Sequence, residues 1–149
     1  MCCIPLQPTG WLHHRQCHFY QRRLVHIVHK YDNDFFGRRV KHYDEALEQM
    51  WMSLKDIGNI KNTIVVADGS GSMCTRVDSN SSVTALEIAN ALAIYCSERC
   101  SGEFKDKYIT FSNRPQLVDF TNAKSLHDKL EVALRYNEVA NTNIEAVFD

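Results

Sequence analysis

The sequence predicts an α/β layered fold, and the order of three segments carries that prediction. A short β-branched run at 63–67 is followed by a long apolar helical pattern at 84–100 and then by a second strand-like run at 108–111. Two strands joined through a helix run parallel in one sheet, with the helix packed on a face of that sheet. We therefore divide the chain into a helical and irregular N-terminal segment, residues 1–60, and an α/β domain, residues 61–149.

The bulk composition is that of a folded globular protein. Hydrophobic residues make up 44% and charged residues 23% of the 149 residues, and the net charge is -1. No apolar run approaches the roughly 20 residues that cross a bilayer, and the N-terminus lacks the basic start and apolar stretch of a secretory signal. We therefore expect a cytoplasmic protein without membrane contact.

The N-terminal segment contains two helical patterns. Residues 17–31 predict a short helix, whereas residues 1–15 show no period and are expected to form a poorly ordered lead-in. Apolar positions at 41–55 recur on one face of a helix, so an amphipathic helix is predicted there. Basic residues outnumber acidic ones between residues 10 and 42, which indicates either a solvated face or a surface for an anionic partner.

The first strand and the helix after it have clear local signals. Thr63-Ile-Val-Val-Ala67 is continuously apolar after its first residue, a pattern typical of a strand buried on both faces, and we expect it to lie centrally in a parallel sheet. Thr84-Ala-Leu-Glu87 has the spacing of a capping box, in which the first and fourth side chains bond to each other's backbone N–H groups. The helix behind it is apolar nearly all round and is expected to be well buried, ending near Gly102.

Turn and cap residues help to place the remaining predicted strands and helices. The strand at 108–111 should pair with the first strand in parallel, and the strand predicted at 116–120 should return as a hairpin. Pro115 favours an edge position for this last strand because proline donates no ladder hydrogen bond. A helix is predicted at 125–136, and a further cap at Asn141–Asn143 introduces a helical turn at 144–149.

The loop after the first strand carries the chemistry. Asp68, Ser70 and Ser72 alternate with glycines at the carboxyl end of the strand, where open α/β sheets bind ligands. Alternate residues of an extended loop point the same way, so one carboxylate and two hydroxyls can converge on one point. Oxygen ligands suit a hard cation such as Mg²⁺. An alternative stays open, in which Asp68 only caps a Gly/Ser turn.

Three other loop types are excluded by spacing. A phosphate-binding P-loop requires a lysine after its second glycine, and none follows Gly71. A nucleophile elbow requires glycines two residues before and after its serine, which Ser70 lacks. A phosphatase of the haloacid dehalogenase type would have a second aspartate at position 70.

The loop also resembles a known family. Val66-Ala-Asp-Gly-Ser-Gly-Ser-Met73 resembles the Asp-x-Ser-x-Ser-Met start of von Willebrand factor type A (vWA) domains, which carry a metal-ion-dependent adhesion site (MIDAS). Residues 83–100 resemble the first vWA helix, 106–112 the second strand, and Asn141-Thr-Asn143 the loop that supplies a threonine to the metal site. The resemblance implies a Rossmann-like three-layer sandwich that is C-terminally incomplete at Asp149.

The resemblance also implies the ligand set. Ser70 and Ser72 would bind the ion directly, Asp68 directly or through water, and Thr142 would complete one side. The ion would be Mg²⁺, or Mn²⁺ or Ca²⁺, and weakly held, because the family's later aspartate has no counterpart here. An ion held by few carboxylates would attract a carboxylate from a protein partner.

The arrangement is similar to the Ro/TROVE proteins, in which a helical module precedes the vWA domain, and to an uncharacterised family with a vWA-like C-terminal domain. It implies a non-catalytic, metal-dependent module that binds a protein or ribonucleoprotein. No catalytic residue is named, because no motif places a histidine–carboxylate pair near Asp68. Two alternatives stay open: an RNA-associated role carried by Arg15 to Lys41, and a Mg²⁺-dependent hydrolase using the same loop. An incomplete sandwich would leave its sheet open and favour self-association.

Overall fold

A computed structural model describes residues 14–31, 42–54, 58, 60–61 and 63–136, with side chains from Arg23 onward. Four helices and three strands lie in these residues. They are α1 (His14–Tyr31), α2 (Glu45–Met52), β1 (Val65–Asp68), α3 (Ala85–Ser97), β2 (Lys107–Phe111), β3 (Leu117–Asp119) and α4 (Leu126–Arg135). Most of the expected lead-in, the cap at Asn141–Asn143 and the helix at 144–149 fall outside the described residues.

The sheet has the strand directions that the sequence predicts. β1 pairs with β2 in parallel, with Val65 opposite Tyr108 and Asp68 opposite Phe111. β3 pairs antiparallel with the other side of β2 and forms an edge. Helix α3 connects the two parallel strands, so the mixed α/β architecture is confirmed. The predicted central position of the first strand is wrong for the described sheet, in which β2 lies in the middle and β1 at the second edge.

The two faces of the sheet differ in burial. Val65, Tyr108 and Val118 share one face, and all three are buried. The opposite face carries Val66 and Leu117, which are 36% and 53% exposed. The prediction that the first strand is buried on both faces is therefore wrong among the described residues. The physical reason is that the strand's apolar residues pack into a core on one face only, so burial alternates along β1.

The core joins the N-terminal helices to the sheet. Helix α1 buries one face against α3, and α3 contacts both β1 and β2. A single cluster of buried side chains includes members from all four helices and all three strands, among them Ile27, Tyr31, Trp51, Val65, Ile94, Tyr108, Val118 and Leu130. Residues on both sides of the predicted boundary at residue 60 therefore share one core; the boundary itself stays a prediction.

The start of α3 follows its predicted cap, whereas the predicted end near Gly102 is wrong, because α3 ends at Ser97 and Gly102 begins a separate 3₁₀ turn. Thr84 and Glu87 form the capping box at the start of α3, and Ser125 and Asp128 form another at the start of α4. The Ser125 hydroxyl, which bonds the Asp128 carboxylate, is the main reason that the pKa of Asp128 lies below its usual value. In the described part of the chain, no helix is both long and apolar enough to cross a membrane.

Candidate metal-binding loop

The loop begins at the carboxyl end of β1, which lies beside the carboxyl end of the parallel strand β2. Gly69 N–H donates to the carbonyl of Phe111 at 3.2 Å and so continues the β1–β2 ladder by one step. The chain then turns at Ser70 into a short 3₁₀ turn, Gly71–Cys74. Thr75 closes the loop, because its N–H and its hydroxyl both donate to the carbonyl of Ser72. The carbonyl of Thr75 accepts from Ala85 N–H and ties the loop to the start of α3.

Three of the four predicted ligands come together in this loop. The hydroxyl oxygens of Ser70 and Ser72 lie 2.9 Å apart. The Asp68 Oδ1 atom accepts the backbone N–H of Ser70 at 2.8 Å. Ser70 is buried, Asp68 is half-buried and Ser72 is exposed, so the group opens to the surface on one side. The fourth predicted ligand, Thr142, lies outside the described residues.

One distance in the loop can be compared with the spacing of ligands around an octahedral cation. With bonds of about 2.0–2.1 Å at right angles, neighbouring ligand oxygens on Mg²⁺ lie about 2.9 Å apart. The two serine hydroxyls have this separation, at which they are hydrogen-bonded to each other in the structure. Asp68 Oδ1 caps the turn, as the alternative interpretation predicts, while Oδ2 makes no hydrogen bond to any described residue. One carboxylate can thus serve the turn with one oxygen and an ion with the other.

The loop itself has one carboxylate, which would not neutralise a divalent ion. Among the described residues no group of three His, Cys, Asp or Glu side chains lies together as a metal cage would require. Asp68 is therefore the carboxylate that the loop itself supplies, and serine hydroxyls are neutral. A divalent ion held here would keep net positive charge and would bind best with a further anionic ligand.

A polar crevice lies behind the loop, and sequence reasoning missed it. Its lining includes the half-buried Asp68 and three buried polar residues, Asn90, Thr110 and Ser112. The hydroxyl of Tyr108, also in this lining, is buried and has no hydrogen-bond partner among the described residues, and burial raises the pKa of Tyr108. The available signal was the polar Asn90 within the apolar central part of α3.

An apolar groove runs along the other side of the loop. It measures about 210 Å³ and lies between β1 and α3. Its lining is Val65, Val66, Ala67, Asp68, Met73, Ala85, Ile88, Ala89, Leu92 and Ala93. The groove follows the edge of β1 that has no strand neighbour in the described sheet.

The fold and the loop define a class of mixed α/β protein with an oxygen-rich loop at the carboxyl end of its first strand. Residues 62–149, more than half of the chain, match the family described as Domain of unknown function (DUF7788), and the chain belongs to this family. The family segment contains the whole loop and every strand of the sheet.

The chain is also similar to an uncharacterised protein of Acanthamoeba polyphaga mimivirus. The two are 29% identical over 111 residues, which cover 72% of this chain and 18% of the viral protein. The matched part is thus less than a fifth of that relative's length. No solved structure matches the chain significantly.

Proposed function

We propose that residues 61–149 form a vWA-like domain whose Asp68–Ser72 loop binds a divalent cation, Mg²⁺ in the first instance, and through it a carboxylate of a protein partner. The observation that carries this proposal is the 2.9 Å separation of the Ser70 and Ser72 hydroxyls beside the Asp68 carboxylate. Mn²⁺ and Ca²⁺ are the alternative ions, because both also take oxygen ligands.

The position of the loop supports the proposal. It begins where β1 and β2 end together, the edge at which parallel sheets collect ligands. The parallel pair connected by α3 and the antiparallel β3 have the strand directions expected for a vWA-like sandwich. The exposed Ser72 side would leave room for a ligand from outside the chain.

The role assigned to the loop is binding. A bound ion would act as a positive centre that accepts oxygen ligands. Asp68 contributes the charge, Ser70 and Ser72 contribute neutral donors, and the Ser70 amide fixes the carboxylate. A partner carboxylate would complete both the coordination and the charge, so binding of the partner and of the ion should be mutually dependent.

Metal titration of the full chain tests the loop. We expect Asp68→Asn to weaken Mn²⁺ or Mg²⁺ binding at least about tenfold, since it removes the charge while its side-chain oxygen can still accept the Ser70 N–H. Ser70→Ala combined with Ser72→Ala should have a similar effect. Ser79→Ala, an exposed serine outside the loop, is the matched control. Equal affinities in all variants, measured by calorimetry, would refute the metal site and leave Asp68 as a turn cap.

An RNA-associated role is the second candidate, and the outer face of α1 favours it. Arg23, His26 and Lys30 are exposed and recur at spacings of three and four, so they lie on one side of the helix. A basic helix face of this kind attracts phosphate groups. This role requires no metal and can be tested separately.

A further inference from the structure

His29 of α1 joins Ser82 and Glu87, which lie just before and within α3, in a hydrogen-bonded cluster that shares no residue with the Asp68 loop. His29 of α1 bonds Glu87 of α3 through Nδ1 at 2.6 Å, across a sequence separation of 58. The Nε2 atom of the same ring lies 2.9 Å from the hydroxyl of Ser82, which is 53 residues away in sequence. The order Ser82, His29, Glu87 is that of a nucleophile, a base and an orienting carboxylate.

Glu87 is held firmly in this cluster. Its Oε2 atom accepts the backbone N–H of Thr84 at 2.6 Å and the Thr84 hydroxyl at 3.0 Å. The residue is only 7% exposed. The remaining oxygen, Oε1, is the one that meets His29. The capping box of α3 therefore fixes the carboxylate, which in turn orients the imidazole ring.

With Glu87 ionised and the His29 ring neutral, the carboxylate sets the hydrogen-bond directions. An ionised carboxylate only accepts, so His29 Nδ1 carries the proton that points to Glu87. In the neutral ring Nε2 is then an acceptor, and the Ser82 hydroxyl must donate to it. This is the tautomer in which a histidine can remove a proton from a serine.

The serine is accessible to a substrate. Ser82 is exposed, and the side chain of His29 is 32% exposed. The backbone N–H of Ser82 makes no hydrogen bond to any described residue and is therefore available to a carbonyl oxygen. The nucleophile, the base and one donor for a developing oxyanion thus lie together at the surface.

We propose that Ser82, His29 and Glu87 hydrolyse activated carboxylic esters by acyl transfer. Ser82 Oγ attacks the ester carbonyl carbon while its proton passes to His29 Nε2. The carbon–oxygen bond to the leaving group then breaks, and His29 returns the proton to the departing alcohol. Water repeats the sequence on the acyl-serine, which releases the acid and restores the Ser82 hydroxyl. The step needs no metal, so it stands independently of the proposed cation site.

Acylation of the intact chain tests this proposal, with EDTA present so that failure of the cation site cannot affect the result. The probes are p-nitrophenyl acetate and a fluorophosphonate, and mass spectrometry locates the modified residue. We expect one equivalent on Ser82, with labelling reduced to background in Ser82→Ala. Ser79→Ala, an exposed serine in the same loop as Ser82, should label like the parent protein.

A second variant, His29→Gln, tests the role of His29 as the general base. His29→Gln should slow acylation about 100-fold or more, since general-base assistance contributes about 10²–10⁴. Thermal unfolding of each variant shows whether the fold persists, and the exposed Ser82→Ala change keeps the test valid even if His29→Gln does not fold. Absence of labelling in a folded parent protein, or labelling that persists in Ser82→Ala, would show that the cluster only tethers α1 to α3. Unchanged labelling in folded His29→Gln would overturn the assigned base.

Discussion

At the residue scale, the buried carboxylate of Glu48 connects three helices. Its Oε1 atom accepts the Tyr31 hydroxyl at 2.8 Å and the backbone N–H of His127 at 3.0 Å, and its Oε2 atom accepts Leu126 N–H at 2.8 Å. These two N–H groups begin α4 and have no partners within the helix, so the negative charge also suits the helix dipole. Burial, reinforced by Glu48 itself, raises the pKa of Tyr31, so its hydroxyl stays a donor at neutral pH.

Replacing Glu48 tests the strength of this connection. Glu48→Gln keeps the shape but places an NH₂ group against one of the three donors, so we expect the free energy of unfolding to fall by about 1–3 kcal/mol. Urea denaturation measures the change. Glu45→Gln, an exposed position on the same helix, should alter stability by less than about 0.5 kcal/mol. Equal effects of the two substitutions would mean that Glu48 contributes only surface charge.

At the element scale, α1 is divided into two faces. Leu24, Ile27 and Val28 are buried against the rest of the core, whereas Arg23, His26 and Lys30 face solvent. The apolar face explains why this basic segment forms a packed helix, and the helix begins at His14, earlier than the predicted start at residue 17. The helix therefore presents Arg23, His26 and Lys30 on the side opposite its buried face.

The RNA candidate depends on that face. If it binds single-stranded RNA, Arg23→Gln with Lys30→Gln should weaken binding, and each lost phosphate contact should lower the slope of log K against log salt by about 0.7. Fluorescence anisotropy over a salt series measures both quantities. Lys105→Gln with Lys124→Gln removes two exposed charges elsewhere and serves as the control. RNA binding that is undetectable at low salt, or equally weakened by both pairs, would remove this candidate.

At the scale of the whole molecule, the described helices cover the sheet on one face. Val66 of β1, Ile109 of β2 and Leu117 of β3 follow one another across the opposite face. Val66 and Leu117 are exposed large apolar residues, and β1 has a strand neighbour on one side only within the described sheet. Exposed apolar side chains next to an open strand edge favour association.

We therefore expect the chain to self-associate as its concentration rises, as the sequence predicts for an open sheet. Val66→Lys with Leu117→Lys should weaken this association about tenfold or more, because burying each apolar side chain contributes roughly 1.5–3 kcal/mol. Sedimentation velocity over a concentration series measures it. Val77→Lys is the control, since Val77 is exposed outside the sheet. A parent protein that stays monomeric at every concentration would contradict this expectation.

The sequence by itself determined the local elements and the loop. The spacing of apolar residues predicted the helices, and Thr84 with Glu87 predicted the start of α3. The β-branched run before Asp68 and the strand–helix–strand order predicted the parallel pair. These features are determined locally because caps, turns and periodic patterns depend on residues within a few positions of one another. The alternation of Asp68, Ser70 and Ser72 is also a local feature, because these residues lie within five positions of one another.

Only the tertiary structure decided the contacts between helices and strands. It placed β2 rather than β1 in the middle of the described sheet, and the described residues leave Val66 and Leu117 exposed on one face. It brought His29 to Glu87 and Ser82, and Glu48 to the start of α4. No local pattern marks such pairs, since their partners are more than 50 positions apart in sequence. Their proximity arises when α1, α2 and α3 bury their apolar faces in one core, and that packing depends on the shape of the whole chain.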